Sequence, residues 1–157
     1  MRKTFAQSLL EEAKKNPKIV LLTGDLGYGM WDEFKNTLPD QFVNTGAAEQ
    51  ALLDIACGLA LEGMIPFVYT ITPFYLRALE TLRTYINHEN IIVHMVGSGR
   101  DKDYAHDGFS HDASDIKEFL DPLKNIVQYF PQEKEEISVL VTKIITSTNP
   151  TFISLKR

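Results

Sequence analysis

Four short apolar runs, at residues 19–22, 65–71, 91–96 and 152–155, constrain this chain more than any other feature of it. Residues 19–22 are continuously apolar, 91–96 are apolar but for His94, and 65–71 is rich in β-branched and aromatic residues, so none reads as a strand with one wet face. Strands buried on both faces belong to parallel sheets covered by helices. Helical stretches separate them. Phe5, Leu9, Leu10 and Ala13 recur at helical spacing within residues 3–15, which Asn16-Pro17 terminates. Residues 48–62 and 132–147 also read as helices, and 31–38 as a short one. Another opens at Thr72-Pro73-Phe74, with Leu76, Leu79, Leu82, Tyr85 and Ile86 as its buried side. Residues 42–43 and 125–129 complete the strands. The alternation predicts an α/β fold: a doubly wound, mostly parallel sheet of about six strands with helices on both faces. With 157 residues, 44% of them hydrophobic, and no repeat or linker, the chain reads as a single domain over 1–157.

Within that pattern one carboxylate is placed where a carboxylate is costly. Val43 ends a strand, Gly46 frees the turn, and Glu49 falls in the first turn of a helix that continues through Leu52, Leu53, Ile55, Ala56, Leu59 and Ala60. A helix apolar nearly all round is expected to be buried. The positive end of its dipole favours a negative charge there, in surroundings poor in water. Glu49 either caps its own helix or holds something. Upstream, the turn Thr23-Gly24-Asp25-Leu26-Gly27-Tyr28-Gly29 stands at the carboxyl end of a strand, where open parallel sheets bind ligands. It reads equally as a plain connection. Residues 97–114 are polar and aperiodic, a loop length that is usually functional or disordered in a compact domain.

Charge and composition narrow the function. A net charge of -5 and scattered Lys and Arg offer no basic field for nucleic acid. The single cysteine, Cys57, excludes an internal disulfide and reads as a packed thiol in the apolar helix. No signal-peptide core or membrane-spanning run appears, so a soluble, cytoplasmic protein is expected. His106, Asp107, His111, Asp112 and Asp115 crowd the polar loop, but their spacing follows no familiar metal-ligand pattern.

Several stretches carry a resemblance. Phe42-Val43-Asn44-Thr45-Gly46-Ala47-Ala48-Glu49-Gln50, continued by an apolar helix and the turn Gly63-Met64-Ile65-Pro66, is similar to the pyrimidine-binding domain of transketolase and its relatives. Gly24-Asp25-Leu26 resembles the Asp-Leu turn after that domain's first strand. Thr72-Pro73-Phe74-Tyr75-Leu76-Arg77-Ala78 resembles the Thr-Phe-x-x-Arg-Ala pattern of the deoxyxylulose-phosphate synthase branch, and Asp107-Gly108-Phe109-Ser110-His111 the Asp-Gly-Pro-Thr-His loop of sugar-handling members. The likeness covers nearly the whole chain.

The resemblance implies thiamine diphosphate as cofactor. It makes Glu49 the carboxylate beside N1′ of the aminopyrimidine, Phe74 the ring that lines or stacks on it, and Asp25 and Leu26 further cofactor contacts. His111 would reach the substrate's carbonyl and hydroxyl oxygens, and Asp107 a sugar hydroxyl beside the bond being cut. Arg77 would meet a substrate phosphate or a partner chain, unless it is simply an exposed helix residue. The chain departs from the family in lacking transketolase's Thr-His-Asp stretch before Asp107 and in carrying Phe109 for Pro and Pro73 for a small residue. Arg100 and Lys102 offer another route to an anionic substrate.

Family members also need a Gly-Asp-Gly…Asn signature to hold Mg2+ against the cofactor's diphosphate, and this sequence has none. Residues 150–157 resemble the closing strand of the pyrimidine domain. The expectation is a split transketolase-like enzyme. A separate diphosphate-binding subunit would supply Mg2+, the two chains would form a heterotetramer around a homodimer, and a small sugar would be the substrate. A non-catalytic regulatory subunit retaining the fold, and a self-sufficient nucleotide or flavin binder, are the alternatives.

Overall fold

The computed structural model describes residues 1–157. Its strands are β1 (Ile19–Thr23), β2 (Phe42–Asn44), β3 (Ile65–Ile71), β4 (His94–Ser98), β5 (Val127–Tyr129) and β6 (Thr151–Leu155). They form one sheet in the order β2-β1-β3-β4-β6-β5, and every neighbouring pair is parallel. The helices are α1 (Arg2–Ala13), α2 (Asp32–Thr37), α3 (Glu49–Leu61), α4 (Leu79–Thr81), α5 (Ile116–Leu120) and α6 (Glu136–Ile145). None is long and apolar enough to cross a membrane.

Strand alternation divides the core into two layers. Ile19, Leu21, Phe67, Val96 and Ile153 face α1, α2 and α6, where Phe5, Leu9, Phe34 and Val141 meet them. Val20, Leu22, Val68, Met95 and Phe152 face α3 and the segment after β3, packing on Leu52, Ala56, Tyr75 and Ile86. Both faces are covered, which is why the central strands are apolar without alternation.

Four expectations need correction. The segment after β3 is not one regular helix: Thr72–Ala78 is 3-10, α4 is a single turn, and Leu82–His88 is π-helical. Its buried face is therefore Tyr75, Ala78, Leu82 and Ile86, while Leu79 and Tyr85 are exposed and Leu76 is half-buried. The buried positions still fall three and four apart, but the winding changes from 3-10 to π along the segment, which turns Leu79 and Tyr85 out to solvent. Second, β4 begins at His94 rather than at residue 91 and runs on into Gly97 and Ser98, which pair with Thr70 and Ile71. Pairing with β3, not the strand's own apolar content, sets its limits. Third, α3 buries only one face of the single chain: Ile55 and Leu61 are 43% and 72% exposed. Fourth, the polar loop is built: an antiparallel bridge between Asp101 and Ala113 closes its base, and 3-10 turns at Ala105–Asp107 and Phe109–His111 shape its tip. The short helix α5 that follows has no periodic signal in the sequence.

Candidate functional site

The chain passes from β1 outward to β2 and then back across to β3, so the winding reverses beside β1. The crevice outside the carboxyl ends of the strands at such a reversal is where open α/β sheets bind ligands. The residues singled out above all follow a strand at that end: Asp25 and Leu26 after β1, Glu49 after β2, Phe74 and Arg77 after β3, Asp107 and His111 after β4.

Glu49 is the first residue of α3 and is 4% exposed. Gly46, with φ +72°, makes the turn that delivers it. Ala48 at the helix cap provides no side-chain hydrogen bond, so the unsatisfied N–H groups and the helix dipole favour the Glu49 charge directly. The β1 turn closes in beside it: a Cβ added to Gly24 would lie 3.9 Å from Glu49 Oε1. Glu49 Oε2 accepts a hydrogen bond of 2.8 Å from Arg77 Nη1, and the Arg77 side chain is itself 52% exposed. The guanidinium carbon lies 3.9 Å from the centre of the Phe74 ring. The His111 ring also approaches Phe74, edge-on, at 5.0 Å between centroids. Glu49, Arg77, Phe74 and His111 thus form one continuous constellation, drawn from α3, the 3-10 segment and the polar loop.

The remaining candidates stand apart from it. Asp25 adopts a left-handed backbone, φ +59°. Hydrogen bonds from Tyr28 and then Asn44 hold its carboxyl below the usual carboxylate range. Asn44 Oδ1 also accepts from the Asp25 N–H, so this residue shapes the turn. Leu26 packs toward the α1 layer, away from Glu49. Asp107 is exposed, with its Oδ2 3.2 Å from His106 Nε2. No three His, Cys, Asp or Glu converge where a metal ion would sit.

Arg100 is not available to an anionic substrate. It is 7% exposed, and its Nη1 donates to Pro131 O at 2.8 Å, its Nε to Ser154 Oγ at 3.2 Å and its Nη2 to Ser154 O. The cation is a rivet between the loop's root and the end of β6. Lys102 remains exposed.

Tyr104, which no sequence motif marks, positions the loop. Its hydroxyl accepts from Arg2 Nη1 at 2.7 Å and shares a hydrogen bond of 2.9 Å with Ser98 Oγ, which in turn accepts from Tyr69. The ring lies 6.3 Å from that of His111 and fits only because residue 99 is glycine: a Cβ there would come within 2.4 Å of Tyr104 Cε2. A lone tyrosine in a polar loop gives no periodic signal, so only the folded chain reveals the role. Cys57 and His94 are packing residues. Burial, then the charge of Asp54, pushes the Cys57 thiol up to about 11. Burial lowers His94 to about 4, and its Nδ1 lies 3.1 Å from Thr151 Oγ1.

Comparison with known proteins agrees with the architecture. Residues 1–157 match the family described as transketolase, pyrimidine binding domain. A putative transketolase C-terminal section from Methanocaldococcus jannaschii is 28% identical over 100% of this chain and 50% of its own length. A 1-deoxy-D-xylulose-5-phosphate synthase from Trichormus variabilis is 31% identical over 94% of the chain and 24% of its own length. A split-gene transketolase solved as an inactive beta4 tetramer superposes with a TM-score of 0.88 at 30% identity, over 99% of this chain and 50% of that one. The chain belongs to the transketolase pyrimidine-binding domain family. It spans half or less of the length of these relatives.

Proposed function

We propose that this family member is the pyrimidine-binding subunit of a split, thiamine-diphosphate-dependent transketolase-like enzyme, which moves a two-carbon ketol or acyl unit between sugar-type substrates together with a partner chain. The observation that carries the reading is Glu49: a carboxylate buried at a helix N-terminus, beside an aromatic face, at the sheet's reversal point. The donor set fits the aminopyrimidine. A flat heteroaromatic with an N–H donor needs a desolvated acceptor and a ring to lie on, and Glu49 and Phe74 already hold a flat cation in that manner.

Bound there, the cofactor would supply a thiazolium carbon able to act as a nucleophile. Glu49 would hold a proton at the pyrimidine N1′, a strong interaction in a site this poor in water. Phe74 would orient the ring. His111, beside Phe74 on a loop tied down through Tyr104, would donate to and accept from substrate oxygens. Asp107 would read a hydroxyl further out. Asp25 and Leu26 would contact the cofactor through the turn they shape. Mg2+ and the diphosphate would be held by the partner. In support of a partner, Ile55 and Leu61 project from α3 into solvent in the single chain, on the helix that carries Glu49. A homodimer within a heterotetramer remains the proposed assembly.

The test is reconstitution with the diphosphate-binding subunit and measurement of ketol transfer. Turnover that collapses in Glu49→Ala supports the reading. Turnover indifferent to that change would make this a non-catalytic subunit.

A further inference from the structure

The group now seated on Glu49 and Phe74 belongs to the chain itself. A guanidinium is a planar, delocalised cation with in-plane N–H donors. So is an aminopyrimidine protonated on its ring nitrogen. Arg77 makes both contacts that such a ring requires: Nη1 donates to Glu49 Oε2 at 2.8 Å, and the guanidinium carbon sits 3.9 Å over the Phe74 centroid. The second distance is the shortest approach of a cation to an aromatic ring in this protein. The other cations near aromatic rings in this protein, Arg2, Arg100, Lys143 and Arg157, lie 5.2 to 6.0 Å from their centroids.

We propose that Arg77 is an internal stand-in for the aminopyrimidine, covering Glu49 and Phe74 while no ring is bound and yielding them when one arrives. The proposal rests on the cofactor reading above and adds to it a competitor built into the chain. Two features make Arg77 an exchangeable occupant. It is half-exposed whereas its partner Glu49 is 4% exposed, and Glu49 is the hydrogen-bond partner of its guanidinium. It also projects from the 3-10 segment Thr72–Ala78 on a flexible stem that can swing outward without moving the sheet. Without the stand-in, a carboxylate buried at this depth would face an aromatic wall unpaired, which is costly. With it, the site is stable when empty, and a ring must first displace the guanidinium. The apparent affinity is lowered by the fraction of chains in which Arg77 covers the site.

The experiment is calorimetric titration of the full chain with 4-amino-5-(hydroxymethyl)-2-methylpyrimidine, for the wild type, Arg77→Ala and Arg77→Lys. Arg77→Ala should bind roughly five- to tenfold more tightly than the wild type, the size expected for losing a partly exposed ion pair and one cation–ring contact. Arg77→Lys keeps the charge but not the plane and should fall between. In the wild type, the 15N resonance of the Arg77 side chain should shift as the pyrimidine binds, a change that a merely structural arginine would not show. Equal or weaker binding by Arg77→Ala, including no binding by either chain, overturns the proposal. The two readings fail separately: the stand-in can fail while reconstituted turnover still depends on Glu49, and loss of that dependence removes the cofactor reading itself.

Discussion

Two charges are buried in this protein, and they are treated in opposite ways. Arg100 has its side-chain nitrogens directed at Pro131 O, Ser154 Oγ and Ser154 O, while its backbone N–H is bound by Asp103. Every partner is fixed backbone or a short side chain, so the cation is locked. Glu49 has one side-chain partner, on a half-exposed arm that faces the crevice. A buried charge saturated by rigid neighbours holds the fold together. A buried charge with a single movable neighbour can exchange that neighbour for another group, as the proposal above requires. The difference is legible only in the partners, because the two residues are almost equally buried.

The sharpest way to break that contrast is to delete each charge and ask what is lost. Glu49→Ala should lower ketol transfer of the reconstituted enzyme by roughly a thousandfold, about 4 kcal/mol in transition-state terms, with urea unfolding of the chain changed little. Arg100→Met should do the reverse. Stripping donors from Ser154 and Pro131 should destabilise the chain by about 3 kcal/mol in urea unfolding, while enzyme that remains folded still binds the pyrimidine. If Arg100→Met loses pyrimidine binding and keeps its stability, the contrast is wrong.

His94 sharpens the comparison at the opposite end of the sheet, as a buried group kept neutral. Its folded value of about 4 lies below the ordinary value of 6.5. The unfolded chain therefore takes up the proton first as pH falls. The stabilisation is complete above about pH 6.5 and is lost progressively toward pH 4, amounting to roughly 2 to 3 kcal/mol. Urea unfolding at pH 7, 5.5 and 4.5 should show His94→Gln with a flatter dependence than the wild type over that window. The smallest effect belongs to the loop. Tyr104→Phe removes the hydroxyl that Arg2 and Ser98 share and should cost about 1 kcal/mol. It should raise the KM of the reconstituted enzyme more than it lowers kcat, because it loosens the support of His111 without touching Glu49.

How far these features could be read in advance depended on whether the signal was local. The mostly parallel sheet, the order of helices and strands along the chain, and the position of Glu49 in a first helical turn all follow from short-range pattern. The segment after β3 defeated periodicity because its winding passes from 3-10 to α to π within residues 72–88, and a single repeat length cannot describe it. Arg100 looked like a free cation in a polar stretch, since nothing nearby in sequence announces Ser154 or Pro131. Ile55 and Leu61 show the limit of reading burial from composition: an apolar helix need not be covered by its own chain.

By itself the sequence determined which residues line up at the carboxyl ends of the strands, because strand and helix preference are written in spacings of two to four residues. Tertiary structure alone decided their company: that Arg77 closes on Glu49, 28 positions away, and that Arg2 donates to the hydroxyl of Tyr104, 102 positions away. Contacts between groups so distant along the chain depend on how the layers pack, and no spacing of residues encodes that.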